Sequence, residues 1–213
     1  MKLKKKISYA VGILAVTVIV SLLSAPAIVK SLGLHPDFDS KQYNFEGKRA
    51  LIVTTSHGVL NKPGETTGDP TGIFGSEMTI PYYEFLDANM QVDVASIKGG
   101  EIPIDPQSFI YFIKTESDKR YLKDESFQAK VKNSIPLSKV DFKQYDVVFF
   151  SGGWGAAYDM AQSEILAEKV SDAYYNSDLV YGSVCHGALA FTEAKDTLGN
   201  YLIAGRTMTG VTM

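Results

Sequence analysis

Cys185 is the only cysteine in the 213-residue chain. One thiol closes no internal disulfide, so the fold must rest on its core rather than on staples. Metal and nucleotide signatures are missing too. There is no CxxC, no HExxH, no P-loop and no GxGxxG, so the sequence predicts neither a metal nor a cofactor. It also has no internal repeat and no low-complexity tract. The first thirty residues contain no acid but five lysines, which leaves −8 on the remainder of a chain whose net charge is −3. An acidic body argues against nucleic acid as the main partner.

What is present divides the chain into three. At 45% hydrophobic and 21% charged residues, the bulk fits one globular domain with a sizeable core. Residues 1–30 read as targeting: Lys2, Lys4, Lys5 and Lys6 precede an uncharged, mostly apolar run from Ile7 to Val29. As a helix that run spans roughly 34 Å, enough to cross a bilayer. It is either an uncleaved anchor with the lysines in the cytoplasm, or a signal peptide cut at Ala25–Pro26–Ala27. Both place the body outside the cytoplasm, membrane-anchored or secreted. Residues 31–48 are polar and aperiodic, a linker; His35 lies there and is given no role. Residues 49–213 form the domain.

Within that domain apolar strands alternate with helices. Strands are expected at Arg49–Ser56, Gln91–Ser96, Tyr145–Gly153 and Asp178–Val184, with a last strand at Gly205–Met213. Helices are expected at Ser76–Met90 and Ala161–Ser177, with short ones around Ser117–Lys132 and a helix start at "HGALAFTEA". The Gly/Pro/Thr-rich stretch after His57 reads as a loop. Tyr82, Tyr83, Phe85 and Phe191 are expected in the core. The pattern is α/β with a mostly parallel sheet, and sites in such sheets form outside the carboxyl ends of the strands. Three segments fall at those ends: "SHG", "SGGWG" and "CHG".

"GSVCHGA" runs a strand directly into a helix with Cys185 at the junction, a Gly-x-x-Cys-x-Gly analogue of the nucleophile elbow. A helix N-terminus there favours a thiolate. The glycines of "SGGWG" allow backbone to approach a ligand, and the amides of Gly153 and Trp154 are candidates for an oxyanion hole facing Cys185. Glu77 opens the first domain helix. It is either a solvated carboxylate or a general acid at the sulfur; because an ionised Glu would raise the thiol pKa, its protonated state is the useful one. His57 either lines the pocket or is a plain loop histidine.

Taken together, "YGSVCHGALAF", "FFSGGWGAAYDM", "VDVASIKGGEIPIDPQS" and "GIFGSEMTIPYYEF" resemble the ThiJ/PfpI superfamily, the class I glutamine amidotransferase-like proteins. The branch is that of heat-shock chaperone and glyoxalase III-like members, and the resemblance covers residues 48–213. It implies a flavodoxin-like α/β sandwich, often a homodimer. It also implies Cys185 as nucleophile, His186 as its partner and Glu77 as the acid beside it. The implied reaction is cofactor-free conversion of a small aldehyde, methylglyoxal, to D-lactate. A redox sensor or holding chaperone using the same cysteine is the alternative, and an amidase or peptidase a third. Members of this branch place an orienting acid roughly 25 to 30 residues after the histidine, fixing its tautomer. Counting from His186 reaches Met213 without one, and the family's final strand and helix are not found. The expectation is a chain truncated at its C-terminal end or a genuinely shortened member.

Overall fold

The computed structural model describes residues 2–33 and 41–210; His35 and the end of the expected last strand lie outside them. The elements in chain order are α1 (Lys2–Ser31), β1 (Arg49–Thr54), β2 (Val59–Leu60), β3 (Asp69–Pro70), α2 (Gly75–Asp87) and β4 (Gln91–Ser96). They continue with α3 (Glu116–Tyr121), α4 (Glu125–Lys132), β5 (Ile135–Pro136), β6 (Val147–Phe150), α5 (Ala156–Asp159), α6 (Glu164–Asn176) and β7 (Val180–Ser183). A 3-10 helix, Cys185–Phe191, follows β7.

Five strands make one sheet in the order β5-β4-β1-β6-β7, with every pairing parallel. β1 sits at its centre and is buried on both faces. Leu51 and Val53 point into one apolar cluster with Val148, Phe150, Leu166 and Phe191. Ala50 and Ile52 point into the other with Met78, Tyr82, Tyr83 and Phe127. That two-faced burial is why "RALIVT" reads as a continuous apolar run rather than an alternating one. The fold is the expected mostly parallel α/β sandwich.

Helix ends are set by local chemistry. The Thr115 side chain caps α3 in a reciprocal capping box with Asp118. Asp124 and Ser163 side chains accept from the third residues of α4 and α6, each cap contributing about 1 kcal/mol. On α2, Met78 and Tyr82 are buried as expected, whereas Leu86 is 36% exposed.

Three expectations are corrected. The stretch after His57 is not all loop, because β2 and β3 pair antiparallel within it. No strand forms over residues 205–210: "GRTMTG" has neither apolar alternation nor an uninterrupted apolar run, and Arg206 is held locally by the Leu202 carbonyl and the Tyr174 hydroxyl. The helix start at "HGALAF" is 3-10 rather than α. α1 is apolar enough to cross a membrane, with a mean hydropathy of 2.4 over its best window, and its described side chains are largely exposed.

The β6–β7 junction is packed so closely that glycine is required. A Cβ on Gly187 would run into the Phe150 carbonyl, and one on Gly182 would sit 2.7 Å from the Phe149 ring. Gly187→Ala is therefore expected to cost at least about 3 kcal/mol, read as a lower denaturant midpoint. An unchanged midpoint would contradict this packing.

Candidate active site

Because β1, β6 and β7 are neighbours, the three strand-end segments converge. A Cβ on Gly155 would meet the His57 carbonyl, and one on Gly152 would lie 2.7 Å from the His186 nitrogen. "SHG", "SGGWG" and "CHG" are thus in backbone contact.

Cys185 has φ +53°, a left-handed conformation that side chains rarely adopt and that stores roughly 1–3 kcal/mol. The surrounding packing holds it: Gly187 N–H donates back to the Val184 carbonyl, and Val184 N–H to that of Phe150. This is the predicted elbow, and it turns the thiol out of the sheet toward its neighbours.

Glu77 lies in the first turn of α2. Its carboxyl reaches the Cys185 thiol and the amides of Gly152 and Gly153. It can do so because residue 152 is glycine: a Cβ there would stand 2.5 Å from Glu77 Oε2. Burial pushes the Glu77 pKa up, with the thiol and the two amides only partly offsetting this. Oε2 is buried without a hydrogen-bond partner. The carboxyl is thus withdrawn from solvent beside the sulfur rather than solvated on the helix surface.

His186 is 4% exposed. Its Nδ1 lies 3.3 Å from Cys185 Sγ, and its Nε2 is buried with no partner among the described residues. Burial pushes its pKa down. The Cys185 pKa is raised, first by burial and then by the Glu77 charge, against the lowering effect of the His186 and Gly153 amides. Burial thus acts against the thiolate that a helix N-terminus favours. The helix is a short 3-10 segment, and two nearby amides do not outweigh burial beside a carboxyl group. Both shifts favour the neutral thiol and the neutral imidazole.

The Gly153 amide faces both the sulfur and the Glu77 carboxyl, and a φ of +88° reserves its position for glycine. The Trp154 amide has no hydrogen-bond partner among the described residues. Its ring centre stands 5.0 Å from that of His186. His57 is engaged elsewhere. Its Nε2 lies 2.6 Å from the Val59 carbonyl and 2.9 Å from Asn61 Oδ1, and its ring stacks on Tyr158 at 4.2 Å. Those contacts fix the loop after β1 rather than address the sulfur.

Sequence reasoning missed two residues. Asp159 accepts from Thr55 Oγ1 and the Ser56 amide, both at 2.7 Å, and so pins the "SHG" turn. Ser151, fully buried directly before Gly152, has an unpartnered hydroxyl. Neither carries a motif; their roles arise only when β1 and β6 meet. No group of three or more His, Cys, Asp or Glu residues suited to a metal occurs among the described residues. Cavities of about 580 and 650 Å³ open elsewhere and are not lined by Cys185, Glu77 or His186.

A parallel α/β sheet with a cysteine elbow beside a buried carboxyl defines a recognisable class. Residues 71–213 match the DJ-1/PfpI family model, and the chain belongs to that family. It is 28% identical over 169 residues to the glutathione-independent glyoxalase hsp3101 of Schizosaccharomyces pombe, covering 77% of this chain and 67% of that protein. The glyoxalase III crystal structure from Candida albicans superposes with a TM-score of 0.67 at 27% identity, over 78% of this chain and 68% of that one. The Rapid Encystment Protein 24 kDa of Francisella tularensis gives a TM-score of 0.66 at 38% identity, over 73% of this chain and 66% of that one. The chain thus spans about two thirds of the length of the relatives it matches.

Glu77 holds its proton more tightly in the folded protein than in the unfolded chain. Stability is therefore lost as pH rises from the ordinary carboxylate range through the raised folded value. Glu77→Gln should unfold at a higher temperature than wild type at pH 7.5, and the gap should close near pH 4. Once pH exceeds the raised Glu77 value its charge raises the thiol pKa, so iodoacetamide should alkylate Cys185 faster in E77Q than in wild type at pH 8.5. Slower alkylation would contradict the assigned contact.

Proposed function

We propose that the domain converts small 2-oxoaldehydes to 2-hydroxy acids without a cofactor, methylglyoxal to D-lactate being the simplest case. The observation that carries this reading is that Glu77 and His186 both lie beside the Cys185 sulfur, in a family fold shared with glyoxalases. The sulfur adds to the aldehyde carbon as His186 Nδ1 takes the thiol proton, and the Gly153 amide, with that of Trp154, receives the developing alkoxide. The alkoxide is protonated to a hemithioacetal. His186, neutral again, then removes the hydrogen on that carbon while Glu77 gives its proton to the ketone oxygen, forming an enediol; the proton on His186 passes to the neighbouring carbon and Glu77 regains one from the hydroxyl that becomes the thioester carbonyl. The product is a thioester of the 2-hydroxy acid; water cleaves it and the thiol regains its proton. One water is added overall and no external oxidant is needed.

The neutral Cys–His pair suits this sequence, because proton and carbonyl move together. It suits a redox sensor less well, since peroxide attacks a thiolate. Nothing in the site favours an amidase over an aldehyde.

By the same reading α1 holds the domain at the outer face of a membrane. A membrane-impermeant thiol reagent should label Cys185 in intact cells; protection there, with labelling after lysis, would defeat that placement.

Purified full-length protein should produce lactate from methylglyoxal. Cys185→Ala should abolish turnover, and Glu77→Gln should lower kcat by about 10²-fold or more. Undiminished turnover by C185A would overturn the mechanism.

A further inference from the structure

Trp154 is the only tryptophan in the chain, and the residue is 52% exposed although Gly153 and Gly155 on either side are buried. Its ring leans at 42° against His186, 5.0 Å centre to centre, and His186 Nδ1 is 3.3 Å from the sulfur. The amide immediately before it faces that sulfur. A large aromatic surface therefore stands in water within one side chain of the nucleophile. It adds little to the core, and a ligand that covers it gains both apolar burial and ring stacking.

We propose that the exposed indole of Trp154 is the platform for the substituent on the substrate's ketone carbon, and that it selects aryl over methyl 2-oxoaldehydes. This rests on the function proposed above. When the aldehyde carbon is bonded to Sγ, the substituent hangs from the adjacent carbon. On the Glu77 and Gly152 side it would meet close-packed polar groups; on the other side it meets the indole. A methyl group covers a small part of that surface, whereas a phenyl ring can lie offset across it. The chemistry is unchanged: phenylglyoxal takes up one water to give mandelate, with hydrogen moving from the aldehyde carbon to its neighbour.

The test compares kcat/KM for phenylglyoxal and methylglyoxal in the full chain. The stacking surplus predicts a wild-type preference for phenylglyoxal of about three- to tenfold. Trp154→Ala should bring that ratio near one, and Trp154→Phe should keep most of it. A folded W154A with the wild-type ratio overturns the platform while leaving the carbonyl chemistry standing. Turnover of neither aldehyde defeats the function proposed above instead. The platform is then judged by fluorescence, for which a single tryptophan is a direct reporter. A saturable change with mandelate and a much weaker one with lactate supports it; equal responses, or none, overturn it.

Discussion

The site depends on one constraint: three parallel strand ends approach so closely that their connecting backbone has no room for side chains. Gly152, Gly155 and Gly187 each stand where a Cβ would strike the backbone at or just beyond a neighbouring strand's end. The same crowding forces Cys185 into φ +53°. A residue in that conformation cannot continue β7 or enter a regular α-helix, so its side chain must leave the sheet at the turn. The thiol is thus aimed by packing on the β6 side, and the strain is held by the two cores that clamp the sheet.

Placing α2 on the same end of the sheet adds the acid. A first-turn carboxylate on an exposed helix is ordinarily solvated and gains from the helix dipole. Glu77 instead lies over Gly152, where burial outweighs the dipole and the amides together. The carboxyl then holds its proton, and any charge it carries holds the thiol's as well. A protonated thiol resists oxidation, which matters for a cysteine with no partner with which to form a disulfide.

Much of this was legible in the sequence. β4 begins and ends where its alternation does, and the apolar runs around β1 and β6 located both strands to within a few residues. Gly182 and Gly187 flanking Cys185 announced the elbow, since a tight strand-to-helix turn demands small residues there. The burial of Glu77 was not legible, because helical spacing fixes which face a residue shares but not what lies opposite. The burial that opposes a thiolate was not legible for a related reason. A helix N-terminus can be read from a motif, whereas the desolvation that outweighs it belongs to the assembled cleft. β2 and β3 escaped notice because two-residue strands have no period, and His57 could not be assigned before Tyr158 and Asn61 were seen to hold it.

The interplay of Cys185, Glu77 and His186 also constrains how the imidazole works. Its Nδ1 is committed to the sulfur, and its Nε2 is buried and unpartnered among the described residues. With Nδ1 facing the thiol as acceptor, Nε2 carries its proton in both states; in imidazolium that buried, unpartnered N–H also bears charge, which adds a desolvation cost to that state. Burial accordingly lowers the His186 pKa. A histidine that is reluctant to remain charged fits the transient base of the proposed reaction, which would accept the thiol proton as the carbon–sulfur bond forms and then give it up to the alkoxide. Under the proposed reaction the carbonyl compound, rather than a standing ion pair, would complete the activation of the cysteine.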